Sequence, residues 1–262
     1  MTTLDLATGL WIALISLGAG TYGGLMGVGG GAILVPALHL FFGIPLQEAI
    51  PFSLATAVLI SGAASFSINR DGSAHFPTVR SLLIGSVPGA VLGLSLGRVL
   101  PDWALRDAFE IFLLWAVLDT WKAKPDEQGD AHRWRPTRPH GVVTSIIGVF
   151  MGLASGLLGI GGGLVSTPLL RKWLGVPVKS AMANSTLAIV GTTMAGVVAA
   201  AFYRQQGGQP LLPWSLLEWG AMPVLAGGYL GGLLHHRVHS RWLLRLFAAL
   251  LLFVAFKMLT AG

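Results

Sequence analysis

The chain contains no cysteine and little charge. With no thiol anywhere in 262 residues, disulfide bridges, thiolate metal sites and cysteine nucleophiles are excluded. Only 11% of residues are Asp, Glu, Lys or Arg, under half of the roughly 25% that a soluble domain uses to hydrate its surface. Apolar side chains take their place: 53% of the residues are hydrophobic and the mean hydropathy is +0.71. Such a chain expects lipid as its solvent.

Acidic residues are the scarcer sign, 11 against 17 basic, leaving a net charge of +6. In a soluble protein that excess would raise the question of nucleic acid. Here the basic residues sit at the ends of hydrophobic runs, where positive-inside topology and anionic headgroups account for them. No basic face with interleaved aromatics is present, so nucleic acid is not an expected partner. Residues 1–20 lack a basic leader region and run directly into a long apolar stretch, which reads as a retained first helix.

Apolar stretches fall at about 7–26, 30–43, 48–68, 80–99 and 104–121, and again at about 141–158, 161–174, 180–203, 214–235 and 241–260. Most reach the roughly 20 residues that cross a bilayer core. The two at 30–43 and 161–174 are short, and each follows a glycine cluster. Six tryptophans (Trp11, Trp103, Trp121, Trp173, Trp214 and Trp242) lie near span ends, where amphipathic rings anchor at the interface.

The polar segment 122–140 divides the chain into similar halves. At a constant offset of 132, positions 24–38 fall on 156–170 with eight of 15 identical. Gly43, Pro45, Ala49 and Ser53 fall on Gly175, Pro177, Ala181 and Ser185. After a three-residue slip, Gly85, Pro88, Gly93 and Gly97 fall on Gly220, Pro223, Gly228 and Gly232. The predicted fold is therefore an all-α polytopic membrane protein made of two repeats of about five hydrophobic segments each. Its predicted divisions are 1–121, a cytoplasmic linker at 122–140, and 141–262. If the short segments cross, 13 of the 17 Lys and Arg residues lie on one side; if they are re-entrant, the split is 9 against 8. The positive-inside rule favours the first arrangement. An odd number of spans per half inverts the second repeat relative to the first, as in many secondary transporters.

The paired glycine clusters carry the strongest chemical signal. Gly27, Gly29, Gly30 and Gly31 precede one short segment, and Gly159, Gly161, Gly162 and Gly163 precede the other; each segment contains a helix-breaking proline, Pro36 or Pro168. Glycine opens backbone conformations closed to other residues and leaves the amides unobstructed. The first amides of a helix lack internal partners and carry the positive end of its dipole, so a small anion suits them. Close helix packing is the bland reading of the same glycines. No Gly-Lys-Ser/Thr ending follows either cluster, so neither is a nucleotide P-loop. Ser53, Asn184 and Ser185, with Thr56 and Thr186, follow the short segments and offer hydrogen bonds to an oxyanion or to their own helix backbone.

Ionisable residues inside spans are functional suspects; Glu110, Glu218, Asp119 and His39 qualify, but no deep acidic pair marks a proton relay. His235, His236 and His239 have metal-ligand spacing, yet stand beside Arg237 and Arg241 and read as a juxtamembrane basic cluster. No metal or cofactor is expected. A membrane serine protease would need a placed Ser–His dyad, which Ser155 and its surroundings do not supply.

The paired motifs GVGGGAILVP at 27–36 and GIGGGLVSTP at 159–168, the charged middle segment and the Ala181–Ser185 stretch resemble the sulfite exporter TauE/SafE family over nearly the whole chain. The resemblance implies a multi-pass permease of the bacterial cytoplasmic membrane for small sulfur-containing anions such as sulfite or organosulfonates. Pro51, Phe52 and Ser53 replace the Ala183, Asn184, Ser185 pattern in the first half, a departure from a symmetric site. The expected partners are a small anionic solute and the bilayer; a coupling proton or sodium ion and homo-oligomer formation stay open. A passive anion channel shares every one of these features.

Overall fold

The computed structural model describes residues 5–68, 74–122, 141–203 and 214–235, with 249 and 252. Residues 123–140 of the 122–140 linker, nearly all of the expected span at 241–260 and the side chains of the His235, His236 and His239 cluster lie outside the described residues.

Nine helices account for almost everything described: α1 Leu6–Met26, α2 Gly31–Phe42, α3 Leu46–Ile68, α4 Phe76–Val99, α5 Asp102–Lys122, α6 Gly141–Leu158, α7 Gly163–Leu174, α8 Val178–Phe202 and α9 Trp214–His235. Each lies within a few residues of an apolar stretch of the sequence. Five of them (α1, α3, α4, α6 and α8) are long and apolar enough to cross a membrane. The protein is an all-α polytopic membrane protein. Helices α2 and α7 have 12 residues each and stop at Gly43 and Gly175, both at φ 63°. There the left-handed glycine amides bond back to His39 O and Arg171 O and close the helix ends.

Close contacts fix which way each helix runs. In α4 and α6, Leu82 and Ser86 meet Gly148, Ser86 and Ala90 meet Gly152, and Ala90 and Leu94 meet Gly156. The numbers rise together, so the pair is parallel. Likewise Leu17 and Thr21 meet Gly227, and Thr21 and Leu25 meet Gly231, making α1 and α9 parallel. Phe52, Ile60 and Ala64 meet Gly220, Gly228 and Gly232, so α3 runs with α9. Ser86 bonds Thr192 and Ser95 bonds Tyr203, so α4 runs with α8. Between α3 and α8 the order reverses: Leu54 touches Gly196, whereas Ala64 and Ile68 cluster with Ala183.

Helices α1, α3 and α9 thus run one way and α4, α6 and α8 the other. Because α1 and α3 share a direction, α2 carries the chain back to the end where α3 starts.

The packing also exchanges helices between the halves. The fourth helix of the first half packs against the first helix of the second, α4 on α6, and α9 packs on α1 in the same manner. Both seams are glycine stripes, with Gly85, Gly89 and Gly93 against Gly148, Gly152 and Gly156 in one of them. Lipid gives apolar helices little reason to leave it, so association relies on close van der Waals contact, which small residues permit. Trp11, Trp103, Trp173 and Trp214 lie exposed on the outside, consistent with interfacial anchoring.

Candidate functional site

Two glycine loops meet at the middle of the bundle. In the first, Gly27, Gly29 and Gly30 hold φ of 64°, 89° and 77°; in the second, Gly159, Gly161 and Gly162 hold 69°, 76° and 83°. Only glycine adopts this run of left-handed backbone without strain. Gly30 and Gly162 serve as the N-caps from which α2 and α7 start.

Position along the long helices shows that the meeting point is central. Gly29 lies against Ala57 of α3 and Ile189 of α8, and Gly161 against the same Ile189; both residues are near the midpoints of their helices. From there α2 runs toward the start of α3 and α7 toward the start of α8. Since α3 and α8 are antiparallel, the two short helices leave the centre in opposite directions. Their positive dipole ends face each other across the crossing.

The loops touch reciprocally. A Cβ on Gly29 would lie 3.6 Å from Gly161 Cα, and one on Gly161 would lie 3.5 Å from Gly29 Cα. A Cβ on Gly31 would fall 2.0 Å from Gly159 O, and one on Gly163 2.7 Å from Gly27 O. The close-packing reading of these glycines therefore holds in this conformation, with Ile189 against both loops and Ala57 against the first. The dipole reading keeps its basis as well. Among the described residues, the amides of Gly29 to Ala32 and Gly161 to Leu164 donate to no acceptor. Pro36 and Pro168, sixth in their helices, bring no N–H to the carbonyls of Ala32 and Leu164.

The hydroxyl and amide residues divide. Ser53 is fully buried and donates to Gly159 O at 2.6 Å, tying α3 to the opposite loop. Its sequence equivalent Ser185 instead accepts from Ser166 at 2.8 Å and Thr167 at 3.1 Å. Thr56 bonds Ser53 O, and Thr186 bonds Met182 O at 2.7 Å with Gly27 O at 3.5 Å; these two largely satisfy their own helices. Asn184 does not join Ser53 at the crossing. Its Oδ1 accepts the backbone N–H of His75, just before α4, at 2.7 Å.

No Asp, Glu, Lys, Arg or His is among the buried side chains of the described residues. Glu110 pairs with Arg106 at 3.0 Å, Asp119 pairs with Lys172, Glu218 is exposed, and His39 Nδ1 lies 3.0 Å from Ile44 O. The ionisable suspects of the sequence thus stay off the crossing. What sequence reasoning missed are Ala57 and Ile189, ordinary apolar residues whose only signal is their mid-helix position.

Ser53→Ala tests the seal between α3 and the second loop. The substitution leaves a buried carbonyl without its donor and is expected to destabilise the protein by about 1–3 kcal/mol. The check is the thermal unfolding midpoint in detergent; an unchanged midpoint would show that Gly159 O finds another partner.

The family model described as sulfite exporter TauE/SafE matches residues 12–258. The chain is similar to the Probable membrane transporter protein MamO of Magnetospirillum gryphiswaldense, at 29% identity over 96% of this chain and 45% of that protein. A second MamO, of Paramagnetospirillum magneticum, is 28% identical over 95% of this chain and 44% of its own length. The chain thus spans less than half of these two relatives. It matches the Probable membrane transporter protein YunE of Bacillus subtilis end to end, at 24% identity over 96% of this chain and 98% of that one. No solved structure matches the chain.

Proposed function

The chain belongs to the sulfite exporter TauE/SafE family, and from that premise we propose that it is a secondary transporter for a small sulfur-containing anion, such as sulfite or an organosulfonate. It works by alternating access between two inverted repeats and carries no catalytic activity. It sits in the bacterial cytoplasmic membrane with residues 122–140 on the cytoplasmic side. The family name and the transporter names of MamO and YunE support the transport role. The antiparallel course of α3 and α8, equivalents in sequence, supports the inversion.

One observation carries the anion reading. Two sets of helix-initiating amides without acceptors converge on one central point from opposite directions. In a water-poor interior each unsatisfied amide is costly, and an oxyanion with several acceptor oxygens answers both sets together. Gly27, Gly29, Gly30, Gly31, Gly159, Gly161, Gly162 and Gly163 form the backbone of this site, with Ser53 and Ser185 flanking it. Direct contact between the loops, with Ala57 and Ile189 packed on them, opposes a permanently open pore. A carrier that parts the loops in turn fits this closed crossing.

The test is thermal unfolding of the purified full chain against sulfite, thiosulfate, sulfoacetate, taurine, sulfate, carboxylates and chloride at matched ionic strength. A ligand bound only by the folded state at a hundred times its dissociation constant adds about 2.7 kcal/mol. One sulfur anion is expected to raise the midpoint with concentration. A flat response to every anion, joined to absence of flux in proteoliposomes, would overturn the assignment.

A further inference from the structure

On one side of the crossing, three buried side-chain donor atoms have nothing to donate to among the described residues. Ser61 Oγ, Ser65 Oγ and Asn184 Nδ2 are buried from solvent and have no partner among the described residues. Ser16 and Ser155 share that property but stand singly, on α1 and α6.

The three belong to one seam. Ser61, Ala64, Ser65 and Ile68 have the i, i+3, i+4, i+7 spacing of a single helix stripe. Ala64 and Ile68 of that stripe cluster with Ala183, the neighbour of Asn184. Ser61 stands one turn beyond Ala57, which touches Gly29. The stripe therefore leads from the glycine crossing toward the end of α3 that precedes α4.

The orientation of the donors is unusual. Thr186, Thr192 and Thr193 all bond the carbonyl four residues earlier, the ordinary fate of a buried hydroxyl in a helix. Ser61 and Ser65 do not. Asn184 is pinned by its oxygen to the His75 N–H, so its NH₂ group must direct two donors elsewhere. At the equivalent positions in the other half, Thr193 is satisfied by Ile189 O at 2.7 Å, while Val197 and Phe52 are apolar. Of the two equivalent seams, only the one with Ser61, Ser65 and Asn184 carries unspent donors among the described residues.

Resting on the transport reading above, we infer that Ser61, Ser65 and Asn184 form a second, one-sided subsite where a small, singly charged oxyanion is held between the glycine crossing and the α3–α4 end. The charge class follows from the donor set. All three donors are neutral, and no cation is buried among the described residues. The penalty for taking an ion out of water rises steeply with its charge. Hydroxyls and an amide serve a monoanion and fall short for a dianion.

The experiment uses the purified full chain with hydrogen sulfite and methanesulfonate as monoanions and sulfate as the dianion, at matched ionic strength. Midpoint shifts give half-saturating concentrations, and proteoliposome flux gives transport. Wild type is expected to respond to a monoanion and not to sulfate. The Ser61→Ala/Ser65→Ala double variant removes two orphaned hydroxyls, so it should unfold no earlier than wild type without ligand. Its half-saturating concentration should rise at least about tenfold. Asn184→Asp keeps an oxygen for the His75 amide and sets a negative charge against the solute, so monoanion binding should be lost.

Unchanged affinity in both variants, with wild-type binding intact, would overturn the subsite and leave the transporter reading standing. Equal binding of sulfate would overturn the charge class. Absence of both binding and flux in wild type would remove the transporter reading and the subsite with it.

Discussion

Gly161→Val is expected to abolish solute flux, while Trp11→Phe leaves flux at the wild-type rate. Gly161 sits at φ 76°, where a β-branched side chain is strained by at least 1–2 kcal/mol, roughly. A Cβ there would lie 3.0 Å from Val28 O and 3.5 Å from both Gly29 Cα and Ile189 Cγ2. The bulk of valine must therefore displace the opposite loop, at the point where the amides of both short helices converge. Trp11 is 62% exposed on α1 and takes no part in the crossing. Gly161→Ala provides a graded control, since a methyl at 3.0 Å needs a displacement of only tenths of an ångström. Its flux should fall between the two extremes in a protein that accumulates normally. Wild-type flux in a folded Gly161→Val protein would refute the assignment of the crossing as the transport site.

Gly152→Leu is expected to cost more than about 4 kcal/mol, the range in which single substitutions are exceptional. A Cβ on Gly152 would fall 2.2 Å from Ser86 O and 2.8 Å from Ala90 N. Both are backbone atoms of a neighbouring helix, so no side-chain rotation relieves the overlap. Helices α4 and α6 must separate, and the flanking contacts at Gly148 and Gly156 are lost with them. Gly18→Ala and Gly62→Ala form the comparison, because an added Cβ at either position meets nothing within 4 Å. Those two should unfold at or slightly above the wild-type midpoint, given the better helix propensity of alanine. The measurement is accumulation and thermal unfolding in detergent. A Gly152→Leu protein that unfolds with the wild type would mean that the two helices do not pack through this seam.

The sequence made the helices and the glycine loops legible because both rest on local rules. Hydropathy sets where a helix can lie in lipid, and the offset of 132 identifies Gly27 with Gly159 and Ser53 with Ser185. An offset says which residues are equivalent; it does not say which ones meet. Spacing Gly148, Gly152 and Gly156 four apart announces a small-residue stripe, yet nothing local names α4 as its partner.

The divergence of Ser53 and Ser185 has a specific cause of the same kind. In α7, Ser166 and Thr167 stand where α2 has Leu34 and Val35, and their hydroxyls engage Ser185. Ser53 has no such neighbours and reaches across to Gly159. Asn184 follows a short helix as Ser53 does, but its Oδ1 accepts the His75 N–H, which sets the side chain toward the start of α4. Ser61 and Ser65 carry no sequence signal, since an unpaired hydroxyl is visible only when every neighbour is placed.

The exchange of α4 and α9 between the halves bears on how the chain is made. Helix α1 leaves the ribosome well before α9, yet its glycine seam is covered only when α9 arrives, eight described helices later. Helix α4 likewise waits for α6. A nascent first half therefore holds two unpaired seams, and so does a second half made alone. Two fragments cut at the middle segment would each be left as an unfinished intermediate, competent only when the other is inserted beside it. Along the chain the glycine motif occurs twice; during synthesis the bundle completes as one.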